Sequence, residues 1–139
     1  MKVILDIETD GFNPSKIHCI VAKNVATNLV TVFDPDTMYS FNSWAKKVDK
    51  FIMHNGLSFD APVLNRLLGT GITPDKIIDT LILSQLFNPI REKGHSLRAW
   101  GEKLNMLKGG EDVNFSKYDF NMLNYCKQDV EITHAVYNE

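Results

Sequence analysis

At 139 residues, with 44% hydrophobic and 23% charged side chains, the chain has the size and make-up of one globular domain spanning residues 1–139 with a core of its own. A formal net charge of −2 excludes a protein that coats duplex DNA through overall basicity, although a few local cations suffice for a short single-stranded end. No apolar run reaches the ~18 residues of a membrane span. Cys19 and Cys126 lack C-x-x-C spacing, and Met1-Lys2 lead straight into a strand-like run. No membrane partner, disulfide framework, zinc site or secretory leader is therefore expected, and the expected location is the cytoplasm.

The run Val3-Ile4-Leu5-Asp6-Ile7, apolar and rich in β-branched residues, predicts a buried strand, and Thr9-Asp10-Gly11 with Asn13-Pro14 a turn cluster after it. Strands are expected at Ile17–Val25 and Asn28–Phe33, joined through Ala26-Thr27-Asn28 and closed by Asp34-Pro35-Asp36. Phe41, Trp44, Ala45 and Val48 at helical spacing predict a helix over Ser40–Val48, followed by a short strand at Phe51–Met53 and a loop at His54-Asn55-Gly56. Asp60-Ala61-Pro62 opens a helix with the stripe Val63, Leu64, Leu67 and Leu68, stopped by Gly69 and Gly71. Ile77-Ile78 predicts a fifth, very short strand. A helix over Asp79–Phe87 is broken by Asn88-Pro89, and Ser96 caps another that carries Leu97, Trp100 and Leu104. Gly109-Gly110 opens a polar loop, and a last helix starts near Phe120. A meander followed by α/β crossovers implies a mixed five-stranded sheet flanked by helices, with the uniformly apolar first strand at its centre.

Three groups of residues carry chemistry. Asp6 and Glu8 lie two apart on a strand, so both point to one face. Clustered carboxylates there repel and lose hydration, and a divalent cation is the usual compensation; oxygen ligands suit Mg²⁺ or Mn²⁺ better than zinc. Asp60 ends the segment His54-Asn55-Gly56-Leu57-Ser58-Phe59-Asp60. Tyr125 and Asp129 are one turn apart on one face of the last helix. Taken singly, each has an ordinary reading: an exposed strand end, a helix cap at Asp60, and a surface tyrosine beside a solvated acid. Likewise His54 reads as structural, Trp100 as core, and Phe59 as core at a helix start or a wedge against substrate.

In combination, Asp-x-Glu on a strand, then His-Asn-x-x-x-Phe-Asp, then Tyr-x-x-x-Asp resembles the three exonuclease motifs of DEDD nucleases. Tyr125 is similar to the tyrosine of the DEDDy branch, which includes the proofreading domains of family-A and family-B DNA polymerases. Ile78-Asp79-Thr80-Leu81 and Gly94-His95-Ser96-Leu97-Arg98-Ala99-Trp100-Gly101 resemble segments of phage-type family-A polymerases in the same order. The resemblance covers nearly the whole chain and implies an α/β, ribonuclease-H-like fold and a 3′→5′ exonuclease with two Mg²⁺ or Mn²⁺ ions. Such ions, roughly 3.5–4 Å apart, clamp the attacking and leaving oxygens of an in-line displacement. It further implies Asp6, Glu8, Asp60 and Asp129 as metal ligands and catalytic residues. Asp6 would bridge both ions, Glu8 and Asp129 would hold the one carrying the nucleophile, and Asp60 would support the other. Tyr125 would orient the attacking water, since a phenol with an ordinary pKa near 10 positions better than it deprotonates.

Single-stranded DNA 3′ ends are the expected substrate and nucleoside 5′-monophosphates the product. Thr9, Asn55, Leu57, Phe59 and His95 are the expected substrate contacts, with Arg98, Lys103 and Lys108 as further phosphate contacts. Asp79 is expected to anchor a helix start and support the site. A DNA polymerase or other replication protein is the expected partner; no polymerase follows before the chain ends at Glu139, and whether it is a stand-alone product, a split subunit or a cut-out domain stays open. The rivals are the same chemistry on RNA, an inactive nucleic-acid-binding domain, and a structural phage protein, which would explain the core but not the motifs.

Overall fold

The computed structural model describes residues 1–87, 89–91, 93–106, 115 and 117–139. Strand β1 (Lys2–Thr9) alternates, as a strand with both faces covered must. Val3, Leu5 and Ile7 enter one buried cluster and Ile4 the opposite one. β2 (Ile17–Asn24) pairs antiparallel with β1, with a bulge between Glu8 and Thr9 where the first strand ends. β3 (Val30–Phe33) continues the meander, while β4 (Lys50–Met53) and β5 (Ile77–Asp79) add in parallel on the other side. The order is β3-β2-β1-β4-β5, which places the first strand at the centre as expected.

The parallel pairs need crossovers, supplied by α1 (Phe41–Ala45) and α2 (Ala61–Leu68). Both pack with Val3, Leu5, Ile20, Phe51 and Met53 on one face of the sheet. The other face is covered by the long α5 (Phe120–Asn138), whose Met122, Cys126 and Val130 pack on Ile4, Cys19, Val21 and Ile52. An ion pair between Lys23 on β2 and Glu131, 2.8 Å apart, fixes α5 along the sheet. α3 (Thr80–Phe87) follows β5 directly, and α4 (Leu97–Lys103) packs Leu97 and Trp100 against Ile132 and Val136 of α5.

Several boundaries differ from expectation. The Ser40–Val48 helix is reduced to α1 behind a 3₁₀ turn at Met38–Ser40, because Lys47 and Val48 donate to carbonyls three residues back and tighten the chain out of the α-helix. β3 starts at Val30 because Asn28 takes a left-handed conformation, φ 61°. Asp79 closes β5, and α3 begins one residue later than expected, at Thr80, with Asp79 anchoring its first turn by accepting from the Leu81 amide at 3.0 Å. Gly69, φ 65°, ends α2 as predicted, and Ser96 caps α4 by accepting from the Ala99 amide at 3.1 Å. Asn88, Lys108 and the Gly109-Gly110 loop lie outside the described residues. Among the described residues, no helix is long and apolar enough to cross a membrane.

Candidate active site

The alternation of β1 decides where its acids go. Asp6 and Glu8 continue the side of Ile4 and therefore face α5, whose buried stripe fixes its rotation on the sheet. The same rotation brings Cys126 beneath Asp6, with its Sγ 3.4 Å from Asp6 Oδ2 and 3.5 Å from the Asp6 carbonyl. Asp6, Glu8 and Cys126 each offer one ligand atom, all within 4.8 Å of one another. Burial, a hydrogen bond with Cys19 and the Asp6 charge push the Cys126 thiol well up, so it is a proton donor to its acidic neighbour. Both cysteines are free thiols, as their spacing implied. Asp129, three residues beyond Cys126, is 4% exposed and Glu8 8%, so both carboxyls are largely withdrawn from water.

Asp60 arrives from the opposite side of the sheet edge. After β4 the chain reverses at Asn55, which is left-handed at φ 66°. A π-helical turn over Gly56–Asp60 then runs into α2. Gly56 is required by close approach: a Cβ there would sit 2.4 Å from Met53 Cβ. Asp60 occupies the cap position of α2, yet its backbone is already helical and its side chain makes no cap hydrogen bond. The capping explanation therefore fails. The carboxyl is 5% exposed, and its Oδ2 has no hydrogen-bond partner. Burial first, and then the charges of Asp6, Asp79 and Asp129, hold it well above the ordinary carboxylate range. A buried oxygen without a donor, facing further carboxylates, is what a hard divalent cation satisfies. The residues present fit such an ion.

The remaining expected contacts divide. Thr9, Phe59 and Tyr125 line a cleft of about 330 Å³ together with Ile7, Glu8, Gly11, Phe12 and Phe115. The Thr9 hydroxyl donates to the Gly11 carbonyl at 2.9 Å, and Tyr125 meets Phe115 edge-on, 6.2 Å between centroids. Phe59 both lines the cleft and packs on the α1/α2 core. Asn55 and Leu57 give their amides to Asp79. His95 is not among the cleft residues: its Nδ1 lies 2.6 Å from the Ser84 hydroxyl, which also accepts from Trp100 Nε1. His54 donates from Nε2 to the His95 carbonyl and meets the Thr80 hydroxyl through Nδ1, the structural place expected of it. Trp100 is buried core, with Arg91 and Lys103 over its ring. Arg98 is exposed on α4, and Lys108 lies outside the described residues. The sequence reading missed Phe12, Phe115 and Cys126. Only Phe12 left a signal, as an aromatic residue in the turn after the Asp-x-Glu strand.

Comparison with known proteins bears on the fold. No protein-family model matches the chain. The DNA-directed DNA polymerase of Escherichia phage T7 is 24% identical over 180 aligned positions, which cover 96% of this chain and 26% of the polymerase. In three dimensions, NrnC of Brucella melitensis bound to pGG superimposes with a TM-score of 0.69 at 21% identity, over 99% of this chain and 70% of that one. RNase D of Escherichia coli, an exoribonuclease involved in structured RNA processing, gives 0.71 at 18% identity, over 99% and 38%. The chain has the ribonuclease-H-like fold of exonuclease domains. It spans about a quarter of the length of the phage polymerases it matches, 26% in each case.

Proposed function

We propose that this chain is a metal-dependent 3′→5′ exonuclease that removes nucleoside 5′-monophosphates from single-stranded DNA ends. The observation that carries the reading is the convergence of Asp6 and Glu8 from β1, Asp129 from α5 and the buried, donor-less Asp60 at one end of the sheet. Such a cluster costs stability through desolvation and like-charge repulsion unless a cation compensates it. Asp6, Glu8, Asp60 and Asp129 would hold two divalent cations, Mg²⁺ or Mn²⁺ by the hardness of their oxygens. When bound, those ions would acidify a water and neutralise the charge that builds up on the phosphodiester.

The protein's own groups supply the rest. Tyr125 lines the cleft beside Glu8, and its hydroxyl would orient the attacking water. Thr9 and Phe59 form the cleft walls, with apolar ring faces suited to a terminal base. Asn55 and Leu57 sit on the Asp60 loop and would meet the strand there. His95 does not line the cleft, so any contact it made with the strand would lie outside it. The DNA reading is supported by the match to a phage DNA polymerase along 96% of the chain, and a polymerase or other replication protein is the partner we infer.

Incubating 5′-labelled and 3′-labelled DNA and RNA oligonucleotides of one sequence, with Mg²⁺, Mn²⁺ or chelator, tests this. A descending ladder from the 5′ label, immediate release of labelled mononucleotide from the 3′ label, and silence in chelator are expected. Internal cuts, or no hydrolysis with either ion, would remove the exonuclease reading. Faster loss of RNA would move the substrate, because the 2′-hydroxyl is the group that separates the two.

A further inference from the structure

The loop that delivers Asp60 is gripped by a residue outside the proposed ligand set. Asp79, the last residue of β5, is 5% exposed. Its Oδ1 accepts from the amides of Asn55 at 2.8 Å and Leu81 at 3.0 Å, and its Oδ2 from the amide of Leu57 at 3.1 Å. The Leu81 bond is local and secures the first turn of α3. The other two cross from β5 to the neighbouring segment and fix the left-handed Asn55 and the start of the π-helical turn. Thr80 adds a second tie through its contact with His54. The Asp60 Oδ2 has no hydrogen bond to hold it in place, so the backbone bonds to Asp79 are what fix the turn that carries it.

We propose that Asp79 is a positioning residue for the cation site: by clasping the Asn55 and Leu57 amides it holds the Gly56–Asp60 turn so that the Asp60 carboxyl is presented to Asp6, Glu8 and Asp129. The inference rests on reading those four carboxylates as cation ligands. Asp79→Asn is the informative variant. It keeps an oxygen for Asn55 and Leu81 but turns an NH₂ toward the Leu57 N–H, so that one leg of the clasp meets a donor.

The experiment measures Mn²⁺ binding by calorimetry and by electron paramagnetic resonance on the whole chain. The proteins are wild type, Asp79→Asn, Asp60→Ala and the double variant. Val48→Ala, a buried change on the α1 side of the sheet, serves as a control for general destabilisation. Amide exchange of Asn55 and Leu57 is followed in the metal-free proteins. Loss of an outer-sphere partner costs on the order of tenfold or more in metal affinity. The expected result is a drop of that size in Asp79→Asn, none in Val48→Ala, faster exchange at Asn55 and Leu57, and no further drop when Asp79→Asn is added to Asp60→Ala. Wild-type affinity in Asp79→Asn, a drop matched by Val48→Ala, or full additivity with Asp60→Ala would overturn the proposal while leaving the carboxylate site standing. Absence of Mn²⁺ binding by the wild type would overturn the site reading and this inference with it, even if the exchange data confirmed the clasp.

Discussion

At the scale of single residues, Asp60 bears the sharpest conflict between sequence and environment. Its folded carboxyl is held well above the ordinary range by burial and by three neighbouring acids, whereas the unfolded chain titrates near the ordinary value of about 3.9. Between those two values the folded state binds the additional proton. The stability contribution is therefore complete below the unfolded value and is lost as pH rises through the window. Thermal melts of the metal-free protein in chelator should show the melting temperature falling as pH rises above the ordinary carboxylate range. Asp60→Asn should flatten that slope and raise the neutral-pH melting temperature, and Mn²⁺ should reverse the slope in the wild type; a flat wild-type profile would contradict the assignment. Tyr125→Phe keeps the ring against Phe115 and removes only the hydroxyl. Turnover should fall by about one to two orders of magnitude with Mn²⁺ affinity unchanged. A parallel loss of affinity would mean that the hydroxyl supports a ligand and not the water. The acids stood out only through their resemblance to the exonuclease motifs, since the two-residue and four-residue spacings fix no more than shared faces. Phe115 and Cys126 were not legible, because their closeness to the acids depends on how α5 docks on the sheet.

At the scale of elements, helices whose ends are set locally could be read directly. The Leu/Val stripe with Gly69 gives α2 and Ser96 gives α4, whereas the cap of α5 at Asp119, which accepts from the Met122 amide at 2.9 Å, was not anticipated. Ser96→Ala should cost about 1 kcal/mol in a urea titration without changing cation affinity. The π-helical turn at Gly56–Asp60 was not legible, because what shapes it is distant in sequence: the Met53 side chain beneath Gly56 and the Asp79 carboxylate that holds its amides. Gly56→Ala forces a Cβ to within 2.4 Å of Met53 Cβ. It should cost roughly 1–3 kcal/mol by denaturant unfolding and lower nuclease activity even where the protein is fully folded. Full activity in the folded variant would show that the turn tolerates displacement and that Asp60 placement matters less than argued.

At the scale of the whole molecule, the sheet order followed from the element order, since a meander followed by crossovers leaves few ways to arrange five strands. Net charge of −2 gives no overall excess of cations for phosphates. Binding of a single strand by an inactive variant should therefore depend weakly on salt, with a log–log slope on the order of −2 to −3, and hydrolysis should be distributive. Nanomolar affinity with a steep slope, measured by fluorescence anisotropy, would instead indicate a basic groove and a self-sufficient enzyme. In the weaker case a partner that holds the DNA would raise the local concentration of ends. The central claim is that the carboxylates at the end of β1 and on α5 perform the hydrolysis. Single-turnover degradation of a 5′-labelled oligonucleotide in Mn²⁺, comparing wild type with folded Asp6→Ala and Asp129→Ala, tests it most directly. The account predicts a 3′→5′ ladder from the wild type and a loss of about 10³-fold or more in each variant. Near-wild-type hydrolysis by rigorously purified Asp6→Ala would contradict it.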